Sequence, residues 1–166
     1  MILFHGSNLL VQNIDLTKCR PYKDFGQGFY LTEIESQAIQ MAKRVARIYG
    51  GSPVVSKFSL DKGIFEDTDT RAMTFEKPGR EWALFVLNNR NRNLVNIADR
   101  LTNQDNKYDV VFGPVANDDL AYLFRTFNSG LIDIDALTHG LEYKTLTNQF
   151  SFHTEKALKY LIPLEE

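Results

Sequence analysis

Segments whose apolar residues recur at helical spacing alternate along this chain with extended apolar segments. This alternation constrains the fold more than any other feature. Apolar residues recur at helical spacing over Ile34–Tyr49, and Gly50-Gly51 then ends the pattern. An extended apolar run follows directly over Pro53–Leu60, and a second helical pattern begins near Arg80. The sequence therefore predicts an α+β fold in which helices are interspersed among about five or six strands.

The remaining predicted elements are short. Further strands are expected over Ile2–Phe4, Phe25–Leu31, Tyr108–Val115 and Asn148–His153. Helix caps are predicted at Asn117, Asp133 and Thr154. The helix after Thr154 is expected to include Leu161 and to stop before Pro163. A helical turn is expected within 15–20 and a short helix around 94–101, whereas residues 62–79 are predicted to be a loop with little regular structure.

Length and composition are those of one globular domain spanning residues 1–166. Apolar residues make up 43% of the chain, which is enough for a sizeable core, and no repeat or linker divides it. The formal net charge is −2, whereas a dedicated nucleic-acid binder normally shows a basic excess. Bulk charge therefore argues against that class, although a nucleic acid met briefly as a substrate stays open.

The chain shows no sign of export or of membrane insertion. Cys19 is the single cysteine, so no internal disulfide can form, and no zinc-ligand spacing occurs. The first residues lack a signal sequence, and no apolar stretch approaches the roughly 20 residues of a membrane span. We therefore expect a cytoplasmic protein with no membrane partner.

Two glycine-containing motifs lie in the first strands. His5-Gly6-Ser7 ends the first strand, where Gly6 can expose its peptide groups to a carboxamide while His5 presents a ring nitrogen. Gly26-Gln27-Gly28-Phe29-Tyr30 forms the second, where the glycines permit close approach of a flat ligand and Tyr30 offers a ring for stacking. The second motif lacks the third glycine of a dinucleotide-binding fingerprint. Each motif alone is also compatible with an ordinary strand exit or a glycine-kinked edge strand.

A third motif, Asn148-Gln149-Phe150, lies in the last predicted strand. Alternation places Phe150 and Phe152 on one face, so Gln149, Ser151 and His153 share the other. Most polar strand residues are merely solvated. Here we expect the polar face of the strand to line a cleft enclosed by the sheet.

Together, in this order, the three motifs resemble those of the diphtheria-toxin-like ADP-ribosyltransferases, a superfamily that includes the poly(ADP-ribose) polymerases. That superfamily has an early His-Gly-Ser strand, a Gly-Lys-Gly-Ile-Tyr strand followed by a helix, and a late Asn-Glu-Tyr strand. The whole chain is also similar to a bacterial family of small proteins assigned to the same superfamily, through Trp82–Arg90, Tyr108–Val115 and Phe152–Leu161.

The resemblance implies a single ADP-ribosyltransferase-like domain with split β-sheets around an NAD cleft and surrounding helices. It implies that His5 binds a ribose hydroxyl, that Gly6 holds the nicotinamide amide and that Tyr30 stacks on the nicotinamide ring. Met41 lies near the place of the family's second stacking aromatic. The candidate NAD-binding set is His5, Gly6, Ser7, Gly28, Tyr30, Met41 and Arg90. Arg90 is included because a bidentate guanidinium suits a pyrophosphate, although an arginine at a helix end usually binds carbonyls of the helix.

Gln149 is the main departure from the family pattern. The family has a glutamate there, which stabilises the oxocarbenium-like ribose, and losing such a charge costs roughly 10²–10³ in rate. The implied catalytic set is Gln149, His5 and Tyr30. Other candidates for a base that activates the acceptor are His153, Glu155, Asp118 and Asp119, each of which is also explained by capping or helix-dipole effects.

Two functions follow from the resemblance. The first is an NAD-dependent mono-ADP-ribosyltransferase, a bacterial toxin or toxin–antitoxin effector with an antitoxin partner and a macromolecular acceptor. The alternative is a catalytically weak or inactive module that binds NAD or ADP-ribose. An RNA 2′-phosphotransferase relative ranks lower, because the sequence shows no basic cluster near the motifs. The acceptor stays open among protein, nucleic acid and small molecule, with residues 62–79 and 91–107 as candidate specificity loops.

Overall fold

The computed structural model describes residues 1–165 and consists of seven strands and five α-helices in one α+β domain. The strands are β1 (Ile2–Ser7), β2 (Phe29–Leu31), β3 (Val54–Leu60), β4 (Ala72–Thr74), β5 (Val110–Pro114), β6 (Asn148–Phe152) and β7 (Leu161–Pro163). The α-helices are α1 (Glu35–Tyr49), α2 (Arg80–Arg90), α3 (Ala121–Asn128), α4 (Ile134–Leu141) and α5 (Glu155–Leu158). Short 3₁₀ turns cover Leu16–Lys18, Lys62–Phe65, Ile97–Asp99 and Asp118–Leu120. None of the helices within residues 1–165 has both the length and the apolar character needed to cross a membrane.

The strands form two separate sheets. The first has three antiparallel strands in the order β1-β3-β7. The second has four strands in the order β2-β6-β5-β4, of which β4 and β5 are parallel and the other pairs antiparallel. Strand β6 lies between β2 and β5, so a late segment of the chain holds an early and a middle one together.

The second sheet has a distinct apolar core on each of its two faces. The first core lies between the sheets, where Leu3 and Phe58 of the first sheet meet Phe150 and Phe152 of the second. The second core lies on the opposite face of the second sheet, beneath α2, α3 and α4, and Trp82 is buried in it. The alternation of β6 explains this division, because its phenylalanines face the first core while Gln149, Ser151 and His153 face the second.

Helix α1 packs directly onto β1, and this contact depends on Gly6. A β-carbon at position 6 would lie 2.0 Å from the Ala38 carbonyl oxygen and 2.8 Å from the Ala42 nitrogen. No real side chain tolerates such distances, so only glycine lets the helix approach this closely. Gly6 is therefore an interior residue of β1 and does not form a turn after it.

Four sequence-based boundaries are wrong. Strand β2 begins only at Phe29, because residues 25–28 loop over the second sheet with Gly26 at φ 97°. Residues 62–79, predicted to lack regular structure, contain β4, which the parallel register with β5 holds in place. The last helix ends at Leu158 and not at Leu161, and Leu161–Pro163 form β7. The first strand continues to Ser7 because β3 pairs with it throughout.

Candidate functional site

The two sheets are joined by an isolated bridge and then diverge. The Phe4 N–H donates to the Thr32 carbonyl at 2.8 Å, and the Thr32 N–H donates to the Phe4 carbonyl at 3.0 Å. Because peptide groups alternate in direction along a strand, Gly6 and Tyr30 also turn their N–H and C=O groups toward this edge. In a continuous sheet these two residues would pair next. Here the edge of β1 that carries Gly6 separates from β2.

The His5 imidazole lies at this separation. Its Nδ1 lies 2.8 Å from the Tyr30 carbonyl oxygen, and its ring contacts Phe29 with the centroids 4.3 Å apart. Burial lowers the pKa of His5, although the bond to the Tyr30 carbonyl acts in the opposite direction. A carbonyl can only accept, so the proton of the neutral ring lies on Nδ1, and Nε2 retains a lone pair. His5 can therefore accept a hydrogen bond from a hydroxyl group.

Tyr30 is held in a fixed orientation by the loop before β2. Its hydroxyl donates to the Gly26 carbonyl at 2.7 Å and accepts from the Phe25 N–H at 3.0 Å. Burial is the main reason why the pKa of Tyr30 is raised well above its usual value, so this phenol stays neutral. The ring meets that of His153 edge-on, with centroids 6.4 Å apart. The ring also packs against the second core, with its centroid 6.4 Å from that of Phe25, so its position is fixed.

Gln149 belongs to a polar cluster centred on Asp24. The Gln149 Nε2 donates to Asp24 Oδ2 at 3.1 Å, and the same oxygen accepts from the Ala116 N–H at 3.1 Å. Arg90 donates to Asp24 Oδ1 through Nε at 2.9 Å and Nη2 at 2.6 Å. An ionised carboxylate only accepts, so the Gln149 nitrogen must face Asp24, and its Oε1 is left to accept from another group.

His153 and Ser151 are buried neighbours on the same face of β6, and their hydrogen bonds are internal. The His153 Nδ1 donates to the Gln27 carbonyl at 2.8 Å, so Nε2 accepts from the Ser151 hydroxyl, also at 2.8 Å. Burial lowers the pKa of His153 to about 4. A β-carbon at position 28 would lie 2.6 Å from His153 Nδ1, so Gly28 is needed for the loop to pass. These residues support the loop and do not act as a free base.

One side of α1 faces this end of the second sheet. Gln37 donates from Nε2 to the Thr147 hydroxyl at 2.8 Å, just before β6, and accepts from the Thr32 hydroxyl at 3.1 Å. Met41 lies one turn further along the same side of the helix and is 48% exposed. Met41 is thus available to a ligand between α1 and the second sheet.

The structure gathers only part of the implied site. The Tyr30 carbonyl contacts His5 where the sheets separate, whereas the Tyr30 ring and Gln149 lie on the second-core face of the second sheet. Gly6 lies next to His5 in β1, and Met41 is exposed on α1. Arg90 is different, because its guanidinium is paired with Asp24 and also donates to the Ala116 carbonyl at 3.1 Å. The Ser7 hydroxyl points to Asn8 Oδ1 at 3.5 Å. The pairing of Arg90 with Asp24 thus competes directly with its expected role at a pyrophosphate.

The candidate bases show no catalytic geometry. Asp118 and Asp119 are exposed at the start of a 3₁₀ turn, and Glu155 is exposed in the first turn of α5. Residues 1–165 contain no group of three or more His, Cys, Asp or Glu side chains that is arranged to hold a metal ion. Two surface depressions, of about 310 and 290 Å³, lie elsewhere, beside Leu10 and Pro163 and beside Phe65 and Phe112.

Sequence reasoning missed Asp24 and Gln37. Asp24 lies 125 positions from the glutamine that it contacts, and nothing in the local pattern before Gly26 distinguishes it from a loop carboxylate. Gln37 carries a weak signal, because its place three residues before Gln40 and four before Met41 puts it on the same side of the helix as Met41.

Comparison with known proteins identifies a family. No curated protein and no solved structure matches this chain at a significant level. The model of a family described as a protein of unknown function (DUF3990) matches residues 1–162. That match covers nearly the whole chain, including β1, β2, β6 and the cluster around Asp24. The chain therefore belongs to the DUF3990 family.

Proposed function

We propose that this protein is an NAD-dependent mono-ADP-ribosyltransferase whose site lies where β1 and β2 diverge. One observation carries the proposal. The separation between the sheets holds an imidazole with a free Nε2 beside the Gly6 edge of β1, and a fixed tyrosine ring and a glutamine share the facing sheet. These are the groups that the motif resemblance implies for binding a nicotinamide riboside, and they come from three distant parts of the chain.

The proposed reaction assigns a task to each residue. His5 Nε2 accepts a hydrogen bond from a ribose hydroxyl, the Gly6 peptide groups pair with the nicotinamide amide, and the Tyr30 ring stacks on the pyridinium. The bond between ribose C1′ and the nicotinamide nitrogen breaks, and its electron pair leaves with neutral nicotinamide. The acceptor's nucleophile then bonds to C1′ and releases its proton to solvent. Gln149 Oε1 orients the ribose 2′-hydroxyl but supplies no charge.

Ligand entry in this proposal requires a local movement. Gly6 is buried, and the Arg20 guanidinium lies 4.5 Å from the centroid of the Tyr49 ring, which links the segment before β2 to the end of α1. We infer that residues 19–23 shift away from α1 to admit the nicotinamide ring, while Phe25 and Gly26 keep their hydrogen bonds to the Tyr30 hydroxyl.

A module that binds NAD or ADP-ribose without turnover is the second candidate. The observation in its favour is electrostatic, because Gln149 is uncharged and the nearest carboxylate, Asp24, is already paired with Arg90. Such a site retains hydrogen-bond acceptors for ribose but lacks a charge to stabilise an oxocarbenium ion. Calorimetric binding of NAD without nicotinamide release would identify it.

The test measures nicotinamide release from NAD by the wild type and three variants. Tyr30→Ala should lower the rate at least about tenfold by removing the stacking ring. Tyr30→Phe keeps the ring and should retain most of the rate. Tyr143→Ala is the matched control, because Tyr143 is 82% exposed and its ring packs against His139 of α4. Circular dichroism must show that every variant folds.

A second arm adds labelled NAD to cell lysate. Transfer of label to a macromolecule by the wild type, and its loss in Tyr30→Ala, would support a transferase with a macromolecular acceptor. If the folded wild type releases no nicotinamide and transfers no label, the enzyme proposal is wrong. The calorimetry then decides whether the binding module stands.

A further inference from the structure

The charges of this protein are strongly segregated along the chain. Segments 16–23, 36–60 and 82–98 contain nine of the 19 basic residues and none of the 21 acidic residues. The rest of the chain therefore carries a net charge of −11, and these three segments carry +9. The overall value of −2 conceals this separation.

The fold brings the three acid-free segments side by side. The Arg20 guanidinium lies over the Tyr49 ring at 4.5 Å from its centroid, which joins the first segment to the end of α1. The Arg92 guanidinium lies over the Tyr22 ring at 5.0 Å, which joins the first segment to the residues after α2. Five exposed side chains define what we call the basic surface: Arg20, Lys23, Arg44, Arg47 and Arg92.

The cations of the basic surface are not neutralised by the protein. No carboxylate within residues 1–165 lies within salt-bridge distance of any of these five, whereas Arg90 beside them is paired with Asp24. Unpaired cations so close together repel one another, which favours a bound anion. Arg44 lies three residues after Met41 and seven after Gln37, on the same side of α1, so the basic surface borders the proposed site.

We propose that the basic surface binds a single-stranded nucleic acid. Cations on three segments exceed what the two phosphates of one NAD can occupy, and they suit a longer phosphate backbone. Tyr22 and Tyr49 lie among the arginines, and aromatic rings interleaved with cations are how proteins hold unpaired bases. This nucleic acid is the acceptor of the proposed transferase. Its role as acceptor rests on the proposed function, whereas its binding to the basic surface does not.

The experiment measures fluorescence anisotropy of a labelled 20-nucleotide oligothymidylate without NAD. The triple variant Arg20→Gln, Arg44→Gln, Arg92→Gln should bind at least tenfold more weakly than the wild type. Its slope of log affinity against log salt should be shallower by about 2, or roughly 0.7 for each lost phosphate contact. The matched control, Lys77→Gln, Lys144→Gln, Lys159→Gln, removes the same charge from exposed positions outside the surface and should bind within about threefold of the wild type.

Three results would overturn the proposal. The first is no binding by the folded wild type at low salt, and the second is an equal loss in both triple variants. The third is binding of a duplex or of polyglutamate as tight as that of the single strand, which would indicate attraction to polyanions in general or to an acidic peptide. Nicotinamide release without any oligonucleotide is measured in parallel. It reports separately on the proposed function, so the failure of one proposal is distinguishable from that of the other.

Discussion

Asp24 determines what residue 149 can be. Its carboxylate accepts from Gln149, Arg90 and the Ala116 N–H, so all its acceptor sites are used by donors. A carboxylate at position 149 would lie about 3 Å from Asp24, and like charges at that distance are strongly unfavourable in a half-buried site. The amide is thus the side chain that fits beside Asp24.

A double-mutant cycle should measure the energetic coupling between Asp24 and residue 149. Gln149→Glu alone should lower the free energy of unfolding by about 1–3 kcal/mol, because it places two carboxylates in contact. Asp24→Asn combined with Gln149→Glu should recover about 0.5–3 kcal/mol relative to the sum of the single changes. Urea unfolding at pH 7 measures all four proteins. Gln12→Glu, at an exposed position, is the control and should stay within about 0.5 kcal/mol of the wild type.

Additive effects of the two changes would contradict the coupling. If the proposed site is enzymatic, nicotinamide release should rise in the double variant and not in Gln149→Glu alone. Only the double variant presents one negative charge to the ribose without repulsion from Asp24.

His153 should make the fold sensitive to acid. Its pKa falls from 6.5 to about 4 because burial disfavours the imidazolium. As the pH falls, His153 is therefore protonated at a higher pH in the unfolded chain than in the folded chain, which stabilises the unfolded state. The free energy of unfolding should fall by about 2 kcal/mol from pH 7 to pH 5. Urea unfolding at both pH values measures the loss. His153→Gln should reduce it, whereas His139→Gln, at a side chain that is 72% exposed, should leave it unchanged. A wild type equally stable at both pH values would refute the expectation.

Among the elements, α1 and β1 depend on each other through one glycine. Gly6→Ala should lower the free energy of unfolding by about 3 kcal/mol or more, because the new methyl group would overlap the Ala38 carbonyl and push the helix away. Gly79→Ala is the control, since a β-carbon there meets nothing within 4 Å, and it should cost less than about 1 kcal/mol. If urea unfolding shows that both variants lose the same free energy of unfolding, α1 does not pack tightly on β1 at Gly6.

The elements that sequence could predict are those with strong local periodicity. α1, α2 and β3 each carry a clear pattern. The caps Asp133 and Thr154 accept from backbone N–H groups as expected, whereas the side chain of Asn117 makes no such bond. β4 and β7 have only three residues each, and pairing with β5 and β3 creates them. Such short strands leave no periodic signal. Pro163 reads as a helix stop, but the edge of a sheet also tolerates it.

The candidate site was predictable only in part, for the same reason. The alternation in β6 correctly placed Gln149, Ser151 and His153 on one face, because period two is a local property. It did not reveal that His153 is enclosed by the loop at Gln27, or that Asp24 meets Gln149. Those contacts are set by the pairing of β2 with β6, which no short window of sequence contains.

The whole molecule has two apolar cores that share the second sheet, so they should unfold together. Leu3→Ala, in the first core, should cost about 2–5 kcal/mol. The single tryptophan, Trp82, lies in the second core and donates to the Pro114 carbonyl at 3.0 Å. Trp82 fluorescence and far-UV circular dichroism should therefore report the same lowered urea midpoint. Leu131→Ala, at a side chain that is 78% exposed, is the control. Separate midpoints for the two probes would show that the cores are independent.

The strand order β2-β6-β5-β4 has a consequence for biosynthesis. Translation delivers β2 long before its partner β6, so a growing polypeptide on the ribosome carries Tyr30 without the segment that bears Gln149. The two strands come together only after β6 has left the exit tunnel. Any chemistry of the proposed site is thus withheld from the nascent chain until synthesis has passed the last strand of the second sheet.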